Sequence, residues 1–159
     1  MSTNLGKNMF KGFCAVASFA ILSAFLWVFP AEAKQRIAVP PVVSVVIDVS
    51  SQSMLVKVNG WHYGSWKVST ARKGYHTPRG TFRAVRTAKI YYSKKYENAP
   101  MPNSVFFHYG FAIHGTYYVK NLGRPASHGC VRLSPANSAA LYGLVNRYGT
   151  KATRITIVD

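Results

Sequence analysis

AIHGTYYVKNLGRPASHGCVRLSPANSAALYGLV, residues 112–145, is the stretch on which the reading of this chain turns. It opens as an apolar strand ending in His114-Gly115, crosses a turn-rich interval, and reaches Ser127-His128-Gly129-Cys130. Its last part is the one convincingly helical segment. Ser134 is placed as an N-cap and Pro135 falls at the first helical position, where a missing N–H costs nothing. Leu141, Leu144, Val145 and Tyr148 then recur at helical spacing, and Gly149 can close the C-terminus.

Around this stretch the chain reads as short strands separated by turn residues. VSVVIDVS (residues 43–50) is rich in Val and Ile. MLVKV and WHYGSWKV flank Asn59-Gly60, the strongest short hairpin signal, because both central turn residues need positive φ. GTFRAVRT (residues 80–87) reads as one strand, and SVFFHYGFAIHG (residues 104–115) as two, broken at Tyr109-Gly110. ATRITIVD at the end places Ile155 and Ile157 on one face, Arg154 and Thr156 on the other. KIYYSKKYENAPMPNS (residues 89–104) reads as a long, basic, tyrosine-rich loop, either solvated or serving as a lid or groove wall. Trp61 and Trp66 are expected in the core, and His62, His76 and His108 at the surface or half-buried. The expectation is a single, mainly β domain with one main helix after Cys130.

The start of the chain has the three parts of a secretory signal: Lys7 and Lys11, an apolar run over residues 12–29, and the small-residue site Ala31-Glu32-Ala33. The expected organisation is therefore a signal over residues 1–33, or an uncleaved anchor, then a linker over 34–42 containing Pro40-Pro41, then a domain over 43–159. Cys14 sits early in the apolar run and reads as filler. The folded part is expected outside the cytoplasmic membrane. The 159 residues carry a net charge of +16, nearly all of it in the folded part. Such a surplus favours polyanions. For an exported chain these are wall peptides with free carboxylates, anionic wall polymers or a membrane surface, and nucleic acid is not expected.

Cys130 is then the only cysteine of the folded part. A thiol attacks as thiolate, and a free cysteine is mostly protonated at neutral pH. Two histidines stand near enough in sequence to serve as base, His128 and His114, the latter at the end of a strand that can hold its ring in place. Gly129, just before the sulfur, lets backbone N–H groups converge on an oxyanion. Arg132 can grip a carboxylate with two N–H groups. Together these residue types describe acyl transfer on a substrate with a free carboxylate. The competing readings are a buried structural cysteine and a metal site of His114, His128 and Cys130, which lacks a fourth ligand. No cofactor is expected.

The motif set resembles the L,D-transpeptidase (YkuD-type) catalytic domain. The likeness rests on His114-Gly115, on Ser127-His128-Gly129-Cys130-Val131-Arg132, and on the upstream Thr77-Pro78-Arg79-Gly80-Thr81-Phe82. It extends over about residues 43–158. The resemblance implies a sandwich-like or barrel-like β fold and assigns Cys130 as nucleophile. It makes His114 the base, oriented by the Gly115 carbonyl, and gives His128, Gly129 and the Cys130 amide the oxyanion hole and its walls. Ser127 would brace the turn, and Arg132 would organise the site or meet substrate carboxylates. The substrate implied is a peptidoglycan stem tetrapeptide, cleaved at its third residue with loss of D-alanine. The acyl group would pass to a neighbouring stem amine, a lipoprotein lysine or water. A catalytically silent wall-binding module remains the alternative of another class.

Overall fold

The computed structural model describes residues 42–159. The expected signal over residues 1–33, and all of the expected linker except Val42, lie outside the described residues. Among those described, nine strands and one α-helix follow in order: β1 (Val43–Asp48), β2 (Ser53–Val58), β3 (Trp61–Lys67), β4 (Gly80–Arg83), β5 (Arg86–Ser93), β6 (Ala99–His108), β7 (Phe111–Gly115), β8 (Val131–Leu133), α1 (Pro135–Tyr148) and β9 (Thr153–Val158). The fold is mainly β, as expected.

Two sheets share one core. The first has the order β3-β2-β1-β9-β4 and the second β5-β6-β7-β8. Period-2 alternation sends one side of each strand inward. Val43, Val45 and Ile47 of β1 and Ile155 and Ile157 of β9 meet Val105 and Phe107 of β6, Ile113 of β7, and Val131 and Leu133 of β8. Leu141 and Val145 of α1 close the same cluster, with Leu144 and Tyr148 packed against it. Burying each such aliphatic side chain contributes about 1.5–3 kcal/mol. The Asn59-Gly60 turn has φ of 50° and 84° and joins β2 to β3, as its residue types require.

Three expectations need correction. Residues 80–87 are not one strand: Phe82 of β4 pairs with Ile155 in the first sheet, while Arg86 of β5 pairs with Phe106 in the second. Buried Ala84 and exposed Val85 carry the chain across, donating to the carbonyls of Thr153 and Phe106. No turn residue interrupts them in the sequence, and only their partners separate them. Residues 89–104 are not an irregular loop but most of the β5–β6 hairpin, with Tyr91 opposite Met101. Pro100 and Pro102 argued against a strand. They are tolerated because pairing of β6 with β7 begins only at Val105, which leaves residues 99–103 an edge on that side. Trp61 is not core. It is 81% exposed, because β3 is an edge strand. Trp66 is half-buried against the core, with Tyr63 edge-on to it.

Helix α1 begins where the sequence placed it: Ser134 Oγ accepts from the Asn137 N–H at 3.2 Å, and Gly149 caps the end. Because α1 lies directly after β8, this cap also fixes the end of that strand. Ser134→Ala is expected to cost about 1 kcal/mol, read as a lower urea midpoint with an unchanged m-value.

Candidate active site

The site is built on a parallel pair. Ile113 of β7 lies opposite Val131 of β8, His114 opposite Arg132, and Gly115 opposite Leu133. Partners in register point the same way, so Ile113, Val131 and Leu133 enter the core. His114 and Arg132 take the outer face of the sheet. Cys130, one residue ahead of β8, packs there against Ala112 and Met101. Sulfur and imidazole thus sit diagonally on one face and line one cavity. Among the described residues no hydrogen bond joins them directly.

His114 is buried, and its Nδ1 lies 2.8 Å from the Gly115 carbonyl oxygen. A carbonyl can only accept, so Nδ1 carries the proton and Nε2 keeps its lone pair. Burial pushes the imidazole from its ordinary 6.5 down to about 4; the Gly115 carbonyl works against this and the Arg132 charge adds to it. Burial pushes the Cys130 thiol up, opposed by backbone hydrogen bonding at Ala112 and by Arg132. The resting pair is therefore neutral thiol and neutral imidazole. Gly115 is needed for a second reason. A Cβ there would lie 2.6 Å from Ser138 Oγ of α1 and 3.2 Å from Pro102.

The turn ahead of the sulfur is laced to residues 68–77. Ser69 and Arg132 exchange backbone hydrogen bonds, Thr70 O accepts from the Ala126 and Ser127 amides, and Arg72 N–H donates to Ser127 O. Ser127 is buried, and its Oγ accepts from the Gly129 N–H at 3.0 Å, which is the bracing expected of it. That bond commits the Gly129 amide internally, so it is not a donor to an oxyanion in the resting turn. The Gly129 carbonyl accepts from Thr77 Oγ1 at 2.8 Å. Gly129 itself has φ of 128°, and a Cβ would lie 2.7 Å from Phe111 Cε1 and 2.8 Å from the His76 carbonyl oxygen. Thr77 was legible only as part of a motif; its threonine hydroxyl is what holds the turn.

Arg132 is half-buried and spends Nη1 on the Ala126 carbonyl at 3.2 Å. The rest of its guanidinium lines the cavity, of about 730 Å³, together with His114, Cys130, Tyr118 and the β5–β6 turn. His128 stands at the rim. Its Nε2 is 2.7 Å from Arg72 Nη2, so the three-ligand metal set of His114, His128 and Cys130 is not assembled. His62, His76 and His108 lie at the surface or half-buried, and none of them lines the cavity.

A buried thiol and a tautomer-fixed imidazole, facing one cavity beside a guanidinium, form a site of the cysteine–histidine class, chemically able to carry acyl transfer. The chain belongs to the L,D-transpeptidase catalytic domain family (YkuD), whose model matches residues 43–157. Among solved structures it resembles an L,D-transpeptidase from Mycobacterium smegmatis with a TM-score of 0.67 and 22% identity, over 75% of this chain and 59% of that one. It also resembles an L,D-transpeptidase from Stackebrandtia nassauensis (0.64, 27% identity, 74% and 55%). A third is L,D-transpeptidase 3 from Mycobacterium tuberculosis in complex with a faropenem-derived adduct (0.63, 20% identity, 75% and 61%). The chain spans less than two thirds of the length of each of these neighbours. No curated protein matches it.

The buried imidazole makes stability depend on acid in a defined window. Folded His114 stays neutral down to about pH 4, whereas in the unfolded chain it takes up a proton near 6.5. Between these values the unfolded state binds more protons. Its contribution is complete above pH 6.5 and lost as pH falls to 4, a change on the order of 3 kcal/mol. Urea midpoints measured at pH 7 and pH 4 should record that fall, and His114→Gln should flatten it. Gly129→Ala should cost more than about 2 kcal/mol, through its clash with a backbone carbonyl and its positive φ.

Proposed function

We propose that the chain is an exported peptidoglycan L,D-transpeptidase with Cys130 as nucleophile and His114 as base. The observation that carries this reading is the placement of a thiol and a one-sided imidazole on the same face of β7–β8, opening on one cavity. Export is supported by the signal pattern over residues 1–33. The substrate class is supported by family membership and by the cationic rim of Arg132, Lys94 and Lys95, which suits stem-peptide carboxylates.

Because both partners rest neutral, proton transfer accompanies attack. Nε2 of His114 takes the Sγ proton as the sulfur adds to the carbonyl of the third stem residue. The oxyanion meets the Cys130 amide and the His128 end of the turn, since the Gly129 amide is engaged with Ser127. Collapse breaks the peptide bond, and His114 returns the proton to the departing D-alanine amine, leaving a thioester on Cys130. An amine from a neighbouring stem then attacks, loses its proton to His114, and expels the thiol with a 3→3 cross-link formed. Water in place of the amine gives L,D-carboxypeptidase action by the same path. Anionic wall polymers or the membrane surface would draw the basic domain to its substrate.

Incubating the protein with a purified tetrapeptide and with a carbapenem tests the reading by mass spectrometry. Wild type is expected to release D-alanine and to gain the mass of one carbapenem on Cys130. Cys130→Ala should lose both. His114→Gln should slow acylation by about 10²–10⁴-fold. Adduct formation persisting in Cys130→Ala would overturn the assignment, and a cross-linked or a trimmed product identifies the acceptor.

A further inference from the structure

Apart from the sulfur and its base, four side chains from three segments meet over the nucleophile's turn. Arg72 Nη2 lies 2.7 Å from His128 Nε2. The His128 ring stacks on Tyr96, with centroids 4.5 Å apart and planes at 13°. Tyr75 meets the same imidazole edge-on at 4.7 Å, and the Arg72 guanidinium lies 5.1 Å from the Tyr75 ring. Tyr96 belongs to the turn between β5 and β6, Arg72 and Tyr75 to the segment between β3 and β4, and His128 to the turn ahead of Cys130. Nothing in the sequence motif joins these positions.

A guanidinium only donates, so Nε2 of His128 accepts and the ring's proton is on Nδ1. Protonated His128 has no lone pair to offer Arg72 and faces its charge. The groups that confront the ring are Arg72 and Tyr75 on one side, Lys95 and Tyr96 on the hairpin turn, and Arg132 from β8. Glu97 stands on that same turn and lines the cavity. Burial, then Arg72, Arg132 and Lys95, hold His128 below its ordinary 6.5.

We propose that Arg72 is a positioning residue that acts through neutral His128, fixing the ring as the surface on which Tyr96 docks the β5–β6 turn across the cleft beside Cys130. The role rests on the reading of Cys130 as the acylated nucleophile. Docked, the hairpin completes the cavity wall and retains the acyl donor. Protonation of His128 undoes the Arg72 bond and releases the turn, so acid weakens donor retention.

Two readouts on the full-length protein test this. In ¹⁵N-histidine spectra, His128 is expected as the Nδ1–H tautomer, with a titration midpoint that rises in Arg72→Ala. Arg72→Lys should restore both, since a single N–H donor is used. With imipenem, Arg72→Ala and Tyr96→Ala should each raise the half-saturating concentration about tenfold while changing the limiting acylation rate less than twofold. Tyr96→Phe, which keeps the stack, should behave as wild type, and the double alanine variant should be no worse than either single one. The proposal is overturned by an unshifted His128 titration in Arg72→Ala, or by a loss confined to the limiting rate. The Tyr96 pair decides it should Arg72→Ala not fold. Wild type that takes up no imipenem at Cys130 would instead refute the functional reading, a result the spectra do not depend on.

Discussion

The register of β7 against β8 is the constraint from which the site follows. A parallel pair in register sends matched residues to the same side, so the burial of Ile113, Val131 and Leu133 dictates that His114, Arg132 and the preceding Cys130 look outward together. A slip of one residue would reverse every one of these assignments and put an imidazole in the core. Hydrophobic packing between the sheets therefore aims the chemistry. Gly115 lets α1 come close enough to clamp this register, because any side chain there would strike Ser138.

Burial exacts its own consequence. The shielding that fixes the His114 ring also pushes it toward neutrality, and the same shielding holds the Cys130 proton on sulfur. Both groups are held in place in the resting site while neutral. Arg132, on the neighbouring position of the same face, supplies the positive field without becoming a proton donor. The turn ahead of Cys130 is held for the ordinary reason that its polar atoms are matched: Ser127 Oγ with the Gly129 amide, Thr77 Oγ1 with the Gly129 carbonyl, Arg132 Nη1 with the Ala126 carbonyl.

What the sequence displayed depended on how local the cause was. Asn59-Gly60, the Ser134-Pro135 start of α1 and the Tyr109-Gly110 turn are decided within a few residues, and each was legible. That His114 and Cys130 line one cavity agrees with the resemblance carried by two short motifs, whereas the residues by themselves left His114 and His128 both open. The crossing at Ala84-Val85 was not, since the two strands it joins differ only in their partners. Pro100 and Pro102 disguised β6 because their tolerance depends on how far β7 reaches. Trp61 was misplaced by its hydrophobicity, which edge position overrides. The Arg72–His128–Tyr96 assembly and the bond from Thr77 join residues far apart in the chain, and no pattern along the sequence announces them.

The connection from β7 to β8 begins with residues 116–123, which include the short 3₁₀ turn Val119–Asn121 and the exposed Tyr117 and Tyr118 that border the cleft. A connection between parallel neighbours can change its path without moving the strands it joins. The mouth of the cleft and its floor are in this sense separable: the first part of this crossing can be lengthened, shortened or repainted while the sulfur–imidazole geometry is kept.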